Sequence, residues 1–264
     1  MKHPYFNSDT YDTVANTKRY FIDKLLGNSR LPFIYKYLGV VLRSRKKALN
    51  GVYDYEQWAD SSYEIMKVLE HIGGRFHISG LKNIEKLDGP AVFISNHMST
   101  LETMVFPGII APFRKATFVV KDTLVENKIF GPVMRSRNPI LVGRTNSRED
   151  LMAVMKGGME RLKDGISVII FPQSTRTLEM DPEKFNSLGV KLASKAKVKV
   201  VPIAIKTDFW GNGKYVKEFG KMDRKKPIHI KFGEPMEIRG NGKEEHEKVV
   251  QFISENLEKW KKEE

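Results

Sequence analysis

The 264-residue chain contains no cysteine. That excludes disulfides, thiolate metal ligands and a cysteine nucleophile, and it agrees with a reducing, cytoplasmic setting without demanding one. Long apolar runs are missing as well. The longest near-apolar stretch, "MVFPGIIAPF" at 104–113, is interrupted by prolines, whereas a membrane-spanning helix needs roughly 20 apolar residues. The opening "MKHPYFNSDTYDT" has no apolar segment of the signal-peptide kind. There is no G-x-S-x-G elbow, no Walker A loop, no G-x-G-x-x-G and no H-E-x-x-H. The histidines at 3, 71, 77, 97, 229 and 246 form no metal-ligand spacing, so no metal is expected. No sequence-specific nucleic-acid signature is present.

Acidic residues are also in short supply: 32 Asp and Glu face 45 Lys and Arg, a net charge of +13. Such a balance suits an anionic partner, whether an anionic membrane surface, a phosphorylated small molecule, an acidic carrier protein or nucleic acid bound without specificity. An apolar content of 41% is enough for a substantial core.

The first 74 residues differ in texture from the rest. "RYFIDKLLG", "PFIYKYLGVVLRSRKKAL" and "YEQWADSSYEIMKVLEHIGG" carry apolar residues at three- and four-residue spacing and read as amphipathic helices rich in Tyr, Phe, Lys and Arg. They fit a helical cap on the core or a membrane-surface element. From Arg75 onward, strand candidates "RFHIS", "AVFIS", "TFVVK", "PILV", "ISVIIF", "KVVPIAI" and "IHIKF" alternate with helical patterns. One of these, "REDLMAVMKGGMERLKDG", opens on Ser147-x-x-Asp150, which has the form of a capping box. The alternation predicts an α/β fold, with a mixed, mostly parallel sheet flanked by helices. The expected organisation is an N-terminal helical region over 1–74, an α/β domain over 75–240 and a C-terminal helix over 241–264. His77 and His229 read as structural strand residues, His71 as a helix-end contact and His246 as a solvated helix residue.

In such folds, sites form where strands end. "NHMSTLE" follows the strand "AVFIS" and places Glu102 five residues after His97. A carboxylate that holds one imidazole nitrogen leaves the other free as a general base; alternatively, Glu102 only complements the helix dipole. "FPQSTRT", residues 171–177, follows the strand "ISVIIF". Gln173, Ser174, Thr175 and Arg176 offer donors there for a phosphate or an oxyanion, or they form a polar loop with Arg176 in a surface ion pair.

Taken together, these blocks resemble the glycerolipid acyltransferases of the PlsC (lysophosphatidic acid acyltransferase) type. The family's N-H-x4-D corresponds to Asn96, His97 and Glu102. A strand lysine, a glycine and an arginine correspond to Lys121, Gly131 and Arg144. F-P-E-G-T-R-S corresponds to "FPQSTRT", and a V-P-I-A strand to "VVPIAI" with Pro202. The similarity runs from about 75 to 238 and departs from the pattern at Glu102, Gln173 and Ser174. The resemblance implies transfer of a fatty acyl group from acyl-CoA or acyl carrier protein to a lysophospholipid, 1-acyl-sn-glycerol-3-phosphate foremost, at an anionic membrane surface. It assigns His97 as base and Glu102 as its partner, with Lys121, Arg144, Gln173, Ser174, Thr175 and Arg176 binding substrate and no cofactor beyond the acyl thioester co-substrate. Another lysolipid or an amino-acid lipid as acceptor, or a non-catalytic lipid-binding relative, are the alternatives.

Overall fold

The computed structural model describes residues 5–27, 29–173, 175–213 and 220–263. Its strands are β1 (Thr10–Asp12), β2 (Phe76–Ser79), β3 (Ala91–Ser95), β4 (Ala116–Lys121), β5 (Ile140–Val142), β6 (Ser167–Ile170), β7 (Lys199–Lys206) and β8 (Ile228–Phe232). The helices are α1 (Phe21–Leu25), α2 (Leu31–Leu49), α3 (Tyr55–His71), α4 (Leu81–Glu85), α5 (Leu101–Ile110), α6 (Asp122–Glu126), α7 (Gly131–Arg135), α8 (Ser147–Lys163), α9 (Leu188–Ala196) and α10 (Lys243–Lys262).

The strands form one sheet in the order β1-β2-β8-β7-β3-β6-β4-β5. Neighbours from β7 through β3, β6 and β4 to β5 are all parallel, while β7–β8 and β1–β2 are antiparallel. The expected mixed, mostly parallel sheet is thus present. β3 is buried along its whole length, as a central parallel strand covered on both faces must be, and that explains its unbroken apolar run. The chain steps outward from β3 to β4 and β5, then back to β6 and β7. Right-handed crossovers put α5 on one face and α8 and α9 on the other; α5 packs on α3, and α8 on α9. Gly108 lets α5 approach α3 closely, because a Cβ there would lie 2.8 Å from the Tyr63 nitrogen.

Two local differences from the sequence reading have physical causes. The cap of α8 is Asn146, whose side chain accepts from the Arg148 and Glu149 N–H groups. Asp150 instead accepts from the Gly143 N–H at 2.9 Å, so Ser147 and Asp150 do not form the box. The first 74 residues are also not helical throughout, since β1 is an edge strand. Thr13 accepts the Phe76 N–H at 2.8 Å, and the Tyr11 and Thr13 hydroxyls each donate to buried Glu70 at 2.7 Å. Burial and Glu70 push the Tyr11 hydroxyl upward.

Among the described residues, three histidines outside the "NHMS" turn, His71, His77 and His229, have structural surroundings. His71 Nδ1 meets the Lys18 carbonyl at 2.7 Å, and His77 Nδ1 meets Asp12 at 2.7 Å. His229 stacks between His77 and Trp260, and burial lowers it to about 4.

Asp23 on α1 is fully buried and binds Arg19 and Arg224, the latter at 2.8 Å. Arg224 also donates to the Ile72 carbonyl at 2.7 Å, capping the end of α3. Asp23→Ala leaves both guanidinium groups without that carboxylate. It is expected to cost about 2–3 kcal/mol in urea unfolding, less than the ~3–5 kcal/mol of a fully buried pair because both arginines are partly wetted. A change below about 0.5 kcal/mol would show the triad to be no more than a surface contact.

Candidate active site

His97 lies in the turn where β3 delivers the chain to α5, and Glu102 projects back from the first turn of that helix. The turn is fixed to the sheet by Asn96. Its side-chain amide donates to the Ile205 carbonyl and accepts the Ile205 N–H, both at 2.9 Å, so the end of β3 is locked to β7. Register explains why the second predicted loop arrives beside the first. β3 and β6 pair with Ile94 opposite Ile170, and the residues after each strand therefore emerge side by side.

His97 Nδ1 and Glu102 Oε1 are 2.8 Å apart. The same oxygen accepts the Met98 N–H at 2.7 Å and the Ser99 N–H at 2.8 Å. The other oxygen accepts the Thr207 hydroxyl at 2.7 Å and the Ser99 hydroxyl at 2.9 Å. Glu102 is fully buried, whereas the His97 side chain keeps 11% of its surface open. Burial by itself would push the Glu102 carboxyl up. The hydrogen bond and charge of His97, the Ser99 N–H and the Thr207 hydroxyl outweigh it and hold the carboxyl below its usual range. An ionised acceptor at Nδ1 selects the tautomer with its proton there and the lone pair at Nε2. Among the described residues Nε2 has no hydrogen-bond partner. Phe171 covers one face of the ring, stacked at 4.3 Å and 21°.

Gln173 occupies the loop beside this pair and is nearly buried. Its carbonyl oxygen accepts the His97 N–H at 2.8 Å, and its amide donates to the Thr177 hydroxyl at 2.5 Å. The Thr177 N–H returns to the His97 carbonyl at 3.0 Å. The sequence assigns Gln173 to substrate, but both ends of its amide are engaged within the protein, where they brace the loop against the histidine. Thr175 is exposed and Arg176 half-buried; Ser174 lies outside the described residues. Lys121 ends β4, and Arg144 follows β5 with its backbone at φ 60° and its N–H on Asp150 at 3.0 Å. Since β4, β5 and β6 all run parallel to β3, these residues belong to the same edge of the sheet as His97. Gly131, another residue of the matched blocks, opens α7. A Cβ there would lie 2.3 Å from the Val125 carbonyl oxygen, so the tight α6–α7 junction requires glycine.

The sequence does not reveal Ser99 and Thr207 as partners of Glu102. Ser99 sits inside the singled-out stretch, but Thr207 comes from the end of β7, and only the pairing of β3 with β7 brings it near.

A histidine held by a buried carboxylate at the carboxyl ends of parallel strands in an α/β sheet is an arrangement suited to acid–base chemistry. Comparison with known proteins narrows the class. Residues 75–206 match the model of the acyltransferase family. A 1-acyl-sn-glycerol-3-phosphate acyltransferase of Pseudomonas aeruginosa is 29% identical over 206 residues, 78% of this chain and 74% of that protein. A chloroplast 1-acyl-sn-glycerol-3-phosphate acyltransferase of Arabidopsis thaliana is 31% identical over half of this chain, which spans 36% of the plant protein. The crystal structure of a 1-acyl-sn-glycerophosphate acyltransferase, PlsC, from Thermotoga maritima superposes with a TM-score of 0.64. It is 22% identical and covers 91% of this chain and 97% of its own, a likeness of fold. The chain belongs to the acyltransferase family. The resemblance read from its motifs holds, and with it the reading of the chain as an enzyme, an acyltransferase.

Proposed function

We propose that the protein moves a fatty acyl group from a thioester, acyl-CoA or acyl carrier protein, to the free hydroxyl of a lysophospholipid, 1-acyl-sn-glycerol-3-phosphate foremost. The observation that carries this reading is the 2.8 Å contact of His97 Nδ1 with a buried, ionised Glu102, in a chain whose relatives bear that activity in their names. His97 Nε2 takes the acceptor's hydroxyl proton while the oxygen attacks the thioester carbonyl. The carbon–sulfur bond then breaks, and the imidazolium returns the proton to the departing thiolate, giving an ester and a free thiol. Lys121, Arg144, Thr175 and Arg176 serve the acceptor phosphate and the developing oxyanion; their common strand edge supports this. The test is to incubate the purified protein with acyl-CoA or acyl carrier protein and a panel of lysolipids, and to identify products by mass. Acylation of lysophosphatidic acid above the other lysolipids is the expected result. Transfer to a different head group would overturn the choice of acceptor, and no transfer to any would overturn the reading.

The acceptor resides in a bilayer, and the N-terminal helices suit a peripheral contact with it. Among the described residues no helix is long and apolar enough to cross a membrane. Leu31, Tyr35, Leu42 and Leu49 of α2 are exposed. At 100° per residue their spacing places them in one outward stripe, opposite buried Phe33, Tyr37 and Val40. Phe21 and Leu25 of α1 are 79% and 69% exposed. Lys24, Lys36, Lys46 and Lys47 lie on the same helices, and each basic residue at an anionic surface contributes about 1 kcal/mol, which salt screens. Sedimentation with liposomes should show binding to anionic vesicles that weakens in high salt without vanishing. Equal binding to neutral and anionic vesicles at every salt concentration would refute the electrostatic part.

A further inference from the structure

The carboxylate in this site is a glutamate, one methylene longer than the aspartate of the motif it matches, and its second oxygen lies in a polar nest that the transfer reaction does not itself use. Thr207 donates to Oε2 at 2.7 Å and Ser99 donates to it at 2.9 Å. Ser99 also contacts the Thr207 hydroxyl at 3.2 Å and accepts the Leu101 N–H at 3.1 Å. All three side chains are at least 98% buried, so no water substitutes for a lost donor. Thr207 directly follows β7, the strand to which Asn96 locks the catalytic turn. The nest is therefore attached to the sheet independently of α5, which carries Glu102.

This geometry has a consequence for acid length. Oε1 and Oε2 are both held, one toward His97 and the backbone of the turn, the other toward Thr207. A carboxyl one carbon–carbon bond shorter, about 1.5 Å, cannot keep both contacts at hydrogen-bond distance. We infer that Thr207 is a positioning residue for the acyl transfer, which with Ser99 orients the long carboxylate so that Glu102 can hold His97 from a place that otherwise suits aspartate. The inference rests on the reading of His97 as the base, and it concerns how that base is held, not which lipid is acylated.

The test is a cycle of Thr207→Val, which keeps the shape and removes the hydroxyl, Thr207→Ser, which restores it, and each combined with Glu102→Asp. T207V should lower kcat about tenfold, equivalent to about 1.4 kcal/mol of barrier, with the acceptor KM unchanged, and T207S should recover most of the loss. In the E102D background T207V should have no further effect, because the shorter acid no longer reaches residue 207. A second readout does not depend on turnover: the Nδ1–H proton resonance of His97, assigned by its absence in H97A. It should shift in T207V, return in T207S, and be insensitive to T207V in the E102D background. An unchanged resonance in T207V overturns the inference. So does a loss of kcat that persists undiminished in the E102D background, or a lowered melting temperature whose kcat loss T207S fails to repair. Should T207V not fold, T207A provides the same comparison. If the wild-type protein acylates no lysolipid, the functional reading fails, and the resonance alone decides the role of Thr207.

Discussion

Replacing His97 by alanine is expected to lower kcat by about 10²–10⁴-fold, the usual contribution of a general base, while the folded structure persists. The structure explains why these two effects separate. The loop after β6 is braced by the His97 backbone N–H and carbonyl, through Gln173 and Thr177, and alanine retains both groups. Glu102 keeps the Met98 and Ser99 N–H groups and two hydroxyls, so the buried charge is not stranded. The lost packing is the stack on Phe171, about 0.5–1.5 kcal/mol beyond burial. Turnover and thermal melting measured on the same preparation check this. A folded H97A protein with near-normal turnover would remove the catalytic assignment.

Glu102→Gln should lower kcat about 10²-fold with little change in melting temperature. The two backbone N–H groups at the start of α5 require an acceptor at the Oε1 position. They therefore keep the glutamine oxygen there, still facing His97 Nδ1, and the amide nitrogen falls beside Ser99 and Thr207, whose hydroxyls can turn to accept. The tautomer of His97 is preserved, and the charge that stabilises the imidazolium is lost. A hydrogen bond to a charged partner contributes about 1.5–3 kcal/mol, or about one to two powers of ten in rate. Glu102→Asp keeps the charge and sacrifices only reach, so it should be the milder change. Full activity in E102Q would reduce Glu102 to a helix-end acid.

The parts legible in the sequence share a property: their signal is local. The strands predicted from Arg75 onward announce themselves by buried apolar, β-branched runs, and His97 and Glu102 share one short turn whose spacing suffices to bring them together. Non-local features were silent. β1 is three residues long, has two of them exposed, and is held through Tyr11 and the adjoining Thr13 by Glu70 and Phe76 from distant segments. Thr207 carries no mark of its own in "IAIKTDF". At α8 two neighbouring residues, Asn146 and Ser147, both suit a cap, and the choice falls to the backbone turn between β5 and the helix. Gln173 was legible as a site residue but not in its orientation, because which way an amide faces depends on partners that the fold supplies.

The Phe171 ring beneath His97, together with the Glu102 contact on its edge, has a kinetic consequence. A ring clamped on one face and at Nδ1 does not swing between partners, so in the transfer proposed above both proton movements use a single fixed nitrogen, Nε2. The acceptor oxygen and the departing sulfur must reach that point within the same encounter. The proposed transfer is direct, with no acyl-enzyme, so it requires the two substrates to be present together. Initial rates plotted against one substrate at several levels of the other should give intersecting lines, and a parallel family would mean that the acyl group pauses on the protein.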